Sequence, residues 1–159
     1  EELGVADRMI FHGFLPPEEI RHIMERCQIH VFTSNWLEGW GAVVNEAMNS
    51  GCAEVASAAA GAVPYLIRQG VNGIAYPGDD FMQMAQAVLS LACNDGKRKE
   101  MGRKAMETIT GAWNAEHAAG ELLRFSEELL TGEPKGADDG PLSPAPVISE
   151  RRMYSWMCQ

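Results

Sequence analysis

Residues 29–57 contain two short apolar runs separated by a helical run, and this order restricts the fold more than any other feature of the chain. Residues 29–33 and 53–57 have the length and composition of buried strands. Residues 42–49 repeat apolar side chains at helical spacing and stop before Gly51. So short a strand, helix and strand pair as parallel neighbours joined by the helix. The segment therefore predicts a parallel sheet.

A similar alternation runs through the chain up to about residue 130. The predicted strands are residues 9–12, 29–33, 53–57 and 74–76, and the predicted helices follow Pro16 and cover 42–49, 64–68, a stretch ending near Cys93, 97–110 and 115–130. Either Asp79 or Asp80 is available to cap the helix that ends near Cys93. Alternating elements of this kind predict an α/β layer fold with a mostly parallel sheet.

The composition changes at Thr131, where the stretch "TGEPKGADDGPLSPAP" is rich in proline and glycine and has no periodic apolar face. The last residues, "VISERRMYSWMCQ", are apolar again. We therefore predict two parts: a domain over residues 1–130, and a flexible linker with an apolar tail over residues 131–159.

Charge and cysteine content exclude several classes of partner. A net charge of −9 and a pI near 4.9 disfavour nucleic acid and anionic membrane surfaces. The cysteines form no CxxC pair and have no histidine at ligand spacing, which favours reduced cytoplasmic thiols over a metal site or a disulfide framework. No apolar run is long enough to cross a bilayer.

The segment "EGWGAVVNE" carries the chemistry of the chain. Gly39 and Gly41 allow a sharp turn and a close approach to a ligand, and the helix that follows offers free N–H groups and a positive dipole end to a phosphate. Glu38 suits hydroxyl groups that need an acceptor, and Glu46, about one turn into the helix, suits a ribose diol. The pattern predicts a ligand containing a sugar, a diphosphate and a nucleoside.

Two glutamates separated by seven residues and followed by "AMNSGC" resemble the motif of the group 1 retaining glycosyltransferases of the GT-B fold. The resemblance covers about residues 3–130 and is strongest over 29–76. It also includes, in the family's order, "DRMIFHGFLPPEEI", "CQIHVFTSNWLEGWG", "GAVPYLIRQGVNGIAYPGDD" and "KRKEMGRKAMETITGAW".

The resemblance implies a Rossmann-like C-terminal half of a GT-B fold, incomplete on its N-terminal side. It implies a hexosyltransferase that moves a sugar from a nucleoside diphosphate sugar to an acceptor with retention. The implied catalytic residue is Glu38, which would bind hydroxyl groups of the donor sugar. The implied donor-binding positions are Gly39, Trp40 and Gly41 at the sugar, Ala42 and Val43 at the diphosphate, Glu46 at the ribose, and Phe14 and Leu15 at the base.

The resemblance also implies that no metal is needed, and that a sugar, lipid-linked sugar or small-molecule acceptor is held by an upstream domain. The family's diphosphate-clamping basic residues belong to that upstream part, so we expect little turnover from residues 1–159 alone. We expect self-association through a face left uncovered by truncation. We expect a cytoplasmic protein whose parent enzyme could lie at the inner membrane face.

One departure and several alternatives stay open at this point. Glu54 stands where the family has an apolar residue, and a buried acid is costly unless it is paired or exposed, so either its strand lies near an edge or the site has diverged locally. Trp40 could be a hydrophobic plug instead of part of a sugar pocket. A dinucleotide-binding oxidoreductase is disfavoured because the third glycine of its fingerprint is absent. A non-catalytic interaction module is the remaining alternative.

Overall fold

The computed structural model describes residues 4–35 and 37–144, in which three parallel strands are flanked by six α-helices. The strands are β1 (Ile29–Phe32), β2 (Ala53–Ser57) and β3 (Gly73–Tyr76). The helices are α1 (Pro17–Arg26), α2 (Ala42–Asn49), α3 (Val63–Leu66), α4 (Phe81–Ala92), α5 (Asp95–Gly111) and α6 (Ala115–Thr131), and a 3₁₀ turn covers Ala6–Arg8. The predicted α/β class with a helix-flanked parallel sheet is confirmed.

The sheet has the order β1-β2-β3, so β2 is its central strand. All five residues of β2 are buried. In the register, His30 of β1 lies opposite Glu54 of β2, and Glu54 lies opposite Gly73 of β3. Our alternative that places Glu54 near a sheet edge is therefore wrong, because both neighbours of β2 are paired to it.

The predicted strand at residues 9–12 is wrong. These residues have no regular structure, and the side chains of Ile10 and Phe11 are 80% and 86% exposed. A strand needs a neighbour for its N–H and C=O groups. Within residues 4–35 and 37–144, no strand lies beside this run.

Side-chain caps fix the starts of the three C-terminal helices. Asp80, Asn94 and Asn114 each accept a hydrogen bond from the backbone N–H three residues later, at 2.8 to 2.9 Å. The helix α6 ends at Gly132, which is left-handed, and residues 133–144 have no helix or strand. Of the linker and apolar tail predicted over residues 131–159, residues 145–159 lie outside the described residues.

Two of the apolar clusters that form the core lie on opposite faces of the sheet. One contains residues of α2, α3 and α5, namely Val44, Met48, Ala62, Leu66, Ala105 and Ile109. The other joins the sheet to α4 and α5 through Ala53, Val55, Tyr76, Ala87, Leu91 and Met101. Helix α5 contributes to both clusters and so ties the two layers together. In the described part of the chain, no helix is long and apolar enough to span a bilayer.

Candidate functional site

The loop over residues 38–41, called the donor loop below after the role predicted for it from the sequence, leads from β1 into α2. It therefore lies toward the carboxyl end of a parallel strand, where ligands of open α/β sheets bind. Glu38 is half-buried and its N–H donates to the Asn35 carbonyl at 3.0 Å. Gly39 and Trp40 are exposed, and Gly41 is buried.

Gly41 is the residue that turns the chain into α2. Its φ of 86° and ψ of 56° are left-handed, a conformation that side chains with a Cβ rarely adopt. A Cβ at this position would lie 3.1 Å from Cε1 of Phe32. Both the turn and the contact with Phe32 therefore require glycine here.

Among the residues that the structure describes, no side chain accepts a hydrogen bond from the backbone N–H groups at the start of α2. Gly41 supplies no side-chain cap, and the first turn contains no acidic residue. The N–H groups of Ala42 and Val43 have no acceptor within the helix, whereas the N–H of Val44 donates to the Gly41 carbonyl at 2.9 Å. Together with the positive end of the helix dipole, they form a place suited to an anion.

The segment between β2 and α3 forms two backbone hydrogen bonds with the donor loop. The N–H of Gly61 donates to the Gly39 carbonyl at 3.1 Å, and the N–H of Ala62 donates to the Trp40 carbonyl at 2.8 Å. A Cβ on Gly61 would collide with the Gly39 carbonyl oxygen. Gly61 was not among the predicted site residues, because a glycine in the alanine-rich run at 58–62 gives no signal of a contact 22 residues away.

Trp40 is anchored by its own side chain. Its indole Nε1 donates to Oδ1 of Asn45 at 2.8 Å, and its ring centroid lies 5.7 Å from Tyr65 and 5.9 Å from Trp113. The indole is 40% exposed. These contacts agree with the alternative in which Trp40 is a hydrophobic plug, and they leave its role toward a sugar a prediction.

Glu46 lies one turn into α2, exposed, at a shallow cleft between α2 and α1. The cleft has a volume of about 370 Å³ and is lined by Pro17, Ile20, Arg21, Met24, Glu46, Asn49 and Ser50. Its one cationic side chain among these is Arg21, whose Nε donates to Glu25 at 2.8 Å. Arg21 was not among the predicted site residues, because only the packing of α1 on α2 brings it beside Glu46.

Phe14 and Leu15 precede α1 in an irregular segment. Phe14 is fully exposed and Leu15 is half-buried. Neither residue lines the cleft at Glu46, although Pro17, two residues after Leu15, does so. The structure therefore brings the α1 start to Glu46 without bringing these two side chains into the same cleft.

Glu54 is fully buried and is paired. Its two carboxylate oxygens lie 2.9 and 3.0 Å from Nδ1 of His30, whose side chain is 20% exposed. Burial raises the pKa of the Glu54 carboxyl, and the hydrogen bond to His30 offsets part of that rise. The His30 ring also stacks on Phe32, the residue beneath Gly41, with centroids 6.4 Å apart.

Residues 1–108 match the family model described as "Glycosyl transferases group 1". The match covers more than half of the chain, and the motif at 38–46 with its uncapped helix lies inside it. The chain belongs to the group 1 glycosyltransferase family.

Curated relatives in this family carry a specific name. The D-inositol 3-phosphate glycosyltransferase of Corynebacterium glutamicum (strain R) is 33% identical over 134 residues, which are 84% of this chain and 31% of that protein. The protein of the same name from Corynebacterium diphtheriae is 33% identical over 105 residues, which are 66% of this chain and 24% of that protein. The chain thus spans about a quarter to just under a third of the length of these relatives.

Solved structures of the same class share the fold. The C-terminal domain of a group 1 glycosyl transferase (LpcC) from Francisella tularensis superposes with a TM-score of 0.66 at 28% identity, over 72% of this chain and 58% of that one. Anabaena HepE in complex with UDP-glucose gives a TM-score of 0.59 at 28% identity, over 69% of this chain and 29% of that one. The GT-B assignment is confirmed by these neighbours.

Proposed function

We propose that this chain is the donor-binding part of a retaining glycosyltransferase, which takes a sugar from a nucleoside diphosphate sugar. The observation that carries the proposal is the start of α2, which has no side-chain cap. The chain enters this helix through Gly41, whose backbone is left-handed, and Glu38 and Glu46 lie on either side of that glycine in the sequence. Membership of the glycosyltransferase family supports it, as do the solved complexes of Anabaena HepE with UDP and with UDP-glucose.

In this proposal the diphosphate is bound at the N–H groups of Ala42 and Val43. The helix dipole and the N–H groups stabilise the negative charge that grows on the diphosphate as it leaves the sugar. Glu38 accepts hydrogen bonds from the hydroxyl groups of the sugar, and the backbone of residues 39–41 contacts it. The glycines make that contact possible, because no Cβ separates the backbone from the ligand.

The ribose is bound by Glu46. Its position at the mouth of the cleft between α1 and α2 leaves room for the nucleoside beside Pro17 and Arg21. The volume of about 370 Å³ is at the small end of the range for ligand sites. Phe14 and Leu15 do not line the cleft, so in this arrangement the base extends out of it past Pro17 to contact them, and uracil is the first base to test.

Three further parts of the proposal concern the whole enzyme. An acceptor sugar, lipid-linked sugar or small molecule is bound outside residues 1–159, and the donor site holds no metal. Turnover by this chain alone is low. Among the described residues, the positive groups at the proposed diphosphate and nucleoside positions are the first turn of α2 and Arg21, and they alone would have to stabilise the leaving diphosphate. Finally, the exposed apolar run at residues 9–11 supports self-association.

Calorimetric titration with UDP, GDP and ADP and their glucose derivatives tests the donor site. We expect one base series to bind, and Glu46→Ala to weaken that binding about tenfold or more, because it removes charged hydrogen bonds to the ribose. Glu127→Ala, on the exposed surface of α6, is the matched control and should bind as the wild type does.

Repeating the titration with EDTA and then with Mg²⁺ tests the absence of a metal. Equal affinity in both is the expected result. No binding in any series would overturn the donor-site proposal for this chain and leave a non-catalytic interaction module. If Glu46→Ala and Glu127→Ala lower the nucleotide affinity equally, the nucleotide does not bind at α2.

A further inference from the structure

Three aromatic rings from distant parts of the chain meet beside the donor loop. Trp40 belongs to the loop, Tyr65 to α3, and Trp113 to the connection between α5 and α6. Besides the two contacts of Trp40 given above, the Tyr65 and Trp113 rings lie edge to face with centroids 6.2 Å apart. Each of the three pairs is therefore within the range of an aromatic interaction.

Trp113 connects this aromatic cluster to the core. Its backbone N–H donates to the Thr108 carbonyl at 3.2 Å, and this hydrogen bond closes the end of α5. Its side chain packs on the apolar cluster that includes Val44 and Met48 of α2. The ring is thus fixed by the same helices that form the core beneath the donor site.

The donor loop itself needs such support. It contains Gly39 and Gly41, and glycine has more backbone freedom to lose on ordering than any other residue. A ligand that binds a loosely held loop loses affinity by ordering it, whereas a preorganised loop avoids that cost. The restraints on the backbone of Gly39 and Trp40 come from Gly61 and Ala62, and those on the indole come from Asn45, Tyr65 and Trp113.

We propose that Tyr65 and Trp113 are positioning residues of the donor site, which act through the Trp40 ring to hold the donor loop against the start of α2. The proposal rests on the proposed function of that loop. Trp113 lies beyond residues 1–108, the part that matches the family model. The match to the family model therefore does not by itself assign a role to Trp113.

Donor affinity of Trp113 variants tests the proposal. Trp113→Ala removes the ring and should weaken UDP-glucose binding about two- to tenfold, the range that corresponds to one aromatic pair. Trp113→Phe keeps an aromatic ring and should recover most of the affinity. Val88→Ala is the matched control for lost stability, because Val88 packs on the opposite face of the sheet.

Amide hydrogen exchange gives a readout that needs no ligand. The amides of Gly61 and Ala62, which donate to the donor loop, should exchange faster in Trp113→Ala than in Val88→Ala when the two variants are equally stable. If Trp113→Ala does not fold, Tyr65→Leu removes the second ring and is measured in the same way.

The two proposals fail in different ways. A wild-type chain that binds no nucleotide overturns the proposed function, and amide exchange then decides the positioning of the loop by itself. Unchanged exchange of Gly61 and Ala62 in Trp113→Ala overturns the positioning role. So does unchanged UDP-glucose affinity, or a Trp113→Phe variant that binds as weakly as Trp113→Ala.

Discussion

Nδ1 of His30 lies 2.9 Å from one carboxylate oxygen of Glu54 and 3.0 Å from the other, between residues that face each other in the register of β1 and β2. The Glu54 side chain has no solvent exposure, and β2 is the central strand. A carboxylate in this position loses its hydration, and the imidazole is the partner that compensates for the loss. The pair therefore explains how an acid is tolerated in the sheet interior.

Removing one partner of this pair should cost much more than replacing both. His30→Ala leaves the buried Glu54 carboxyl unpaired and should lower the free energy of unfolding by about 3–5 kcal/mol. The double variant His30→Leu/Glu54→Val replaces the pair by apolar side chains and should be as stable as the wild type or more stable, by up to about 4 kcal/mol. Urea unfolding of the wild type, His30→Ala and the double variant, with His30→Leu and Glu54→Val completing the double-mutant cycle, measures both effects. If the changes in the free energy of unfolding of the two single variants add up to that of the double variant, the pairing is contradicted.

The stability should also depend on pH through Glu54. Because burial raises the pKa of its carboxyl above 4.5 in the folded state, the folded state binds a proton more tightly than the unfolded chain does. The contribution of Glu54 to stability is therefore full below pH 4.5 and is lost as the pH rises through the folded pKa. Relative to Glu54→Gln, the wild type should lose stability as the pH rises above 4.5. Parallel pH profiles of the two proteins would contradict this assignment.

A methyl group at Gly41 should damage the donor loop specifically. Gly41→Ala forces a left-handed alanine, at about 1–2 kcal/mol, and places its Cβ 3.1 Å from Phe32. Gly132→Ala is the matched control, because its φ of 83° is similar and nothing lies within 4 Å of the added Cβ. Both variants should lose stability in urea unfolding, and Gly41→Ala alone should bind UDP-glucose more weakly. Wild-type affinity in Gly41→Ala would show that the loop does not bind the donor.

Local signals in the sequence predicted the elements that surround the site. The predicted bounds of α2 and β2 agree with the structure at both ends, since Gly41 and Gly51 mark the limits of the helix and the strand is a continuous buried run. Asp80 caps α4 as one of the two predicted candidates. These features depend on residues within one or two turns of each other, which is why the pattern is sufficient.

Contacts between distant residues could not be predicted in the same way. The partner of Glu54 is 24 residues away on another strand, and no local pattern indicates it. The strand predicted at residues 9–12 was wrong because an apolar run does not contain the neighbour that a strand needs. Tyr65 of α3 and Trp113, which follows α5, meet Trp40 only through tertiary packing, so no local pattern connects them with the donor loop.

The apolar run at residues 9–11 should make the chain self-associate. Met9, Ile10 and Phe11 are 54%, 80% and 86% exposed, and contiguous exposed apolar side chains recruit partners. Sedimentation velocity over a concentration series should show a species larger than the monomer. Ile10→Ser/Phe11→Ser should shift it to the monomer, because the polar side chains no longer gain free energy on burial.

Leu130→Ser on α6 is the control for this last prediction, because Leu130 is 89% exposed and lies on another element. We expect it to associate as the wild type does, since the face that we assign is formed by residues 9–11. If Leu130→Ser abolishes association and Ile10→Ser/Phe11→Ser does not, the interface is on α6 and not at residues 9–11. A wild-type chain that stays monomeric at every concentration would contradict self-association itself, whereas the donor-site proposal, which rests on the start of α2, would stand.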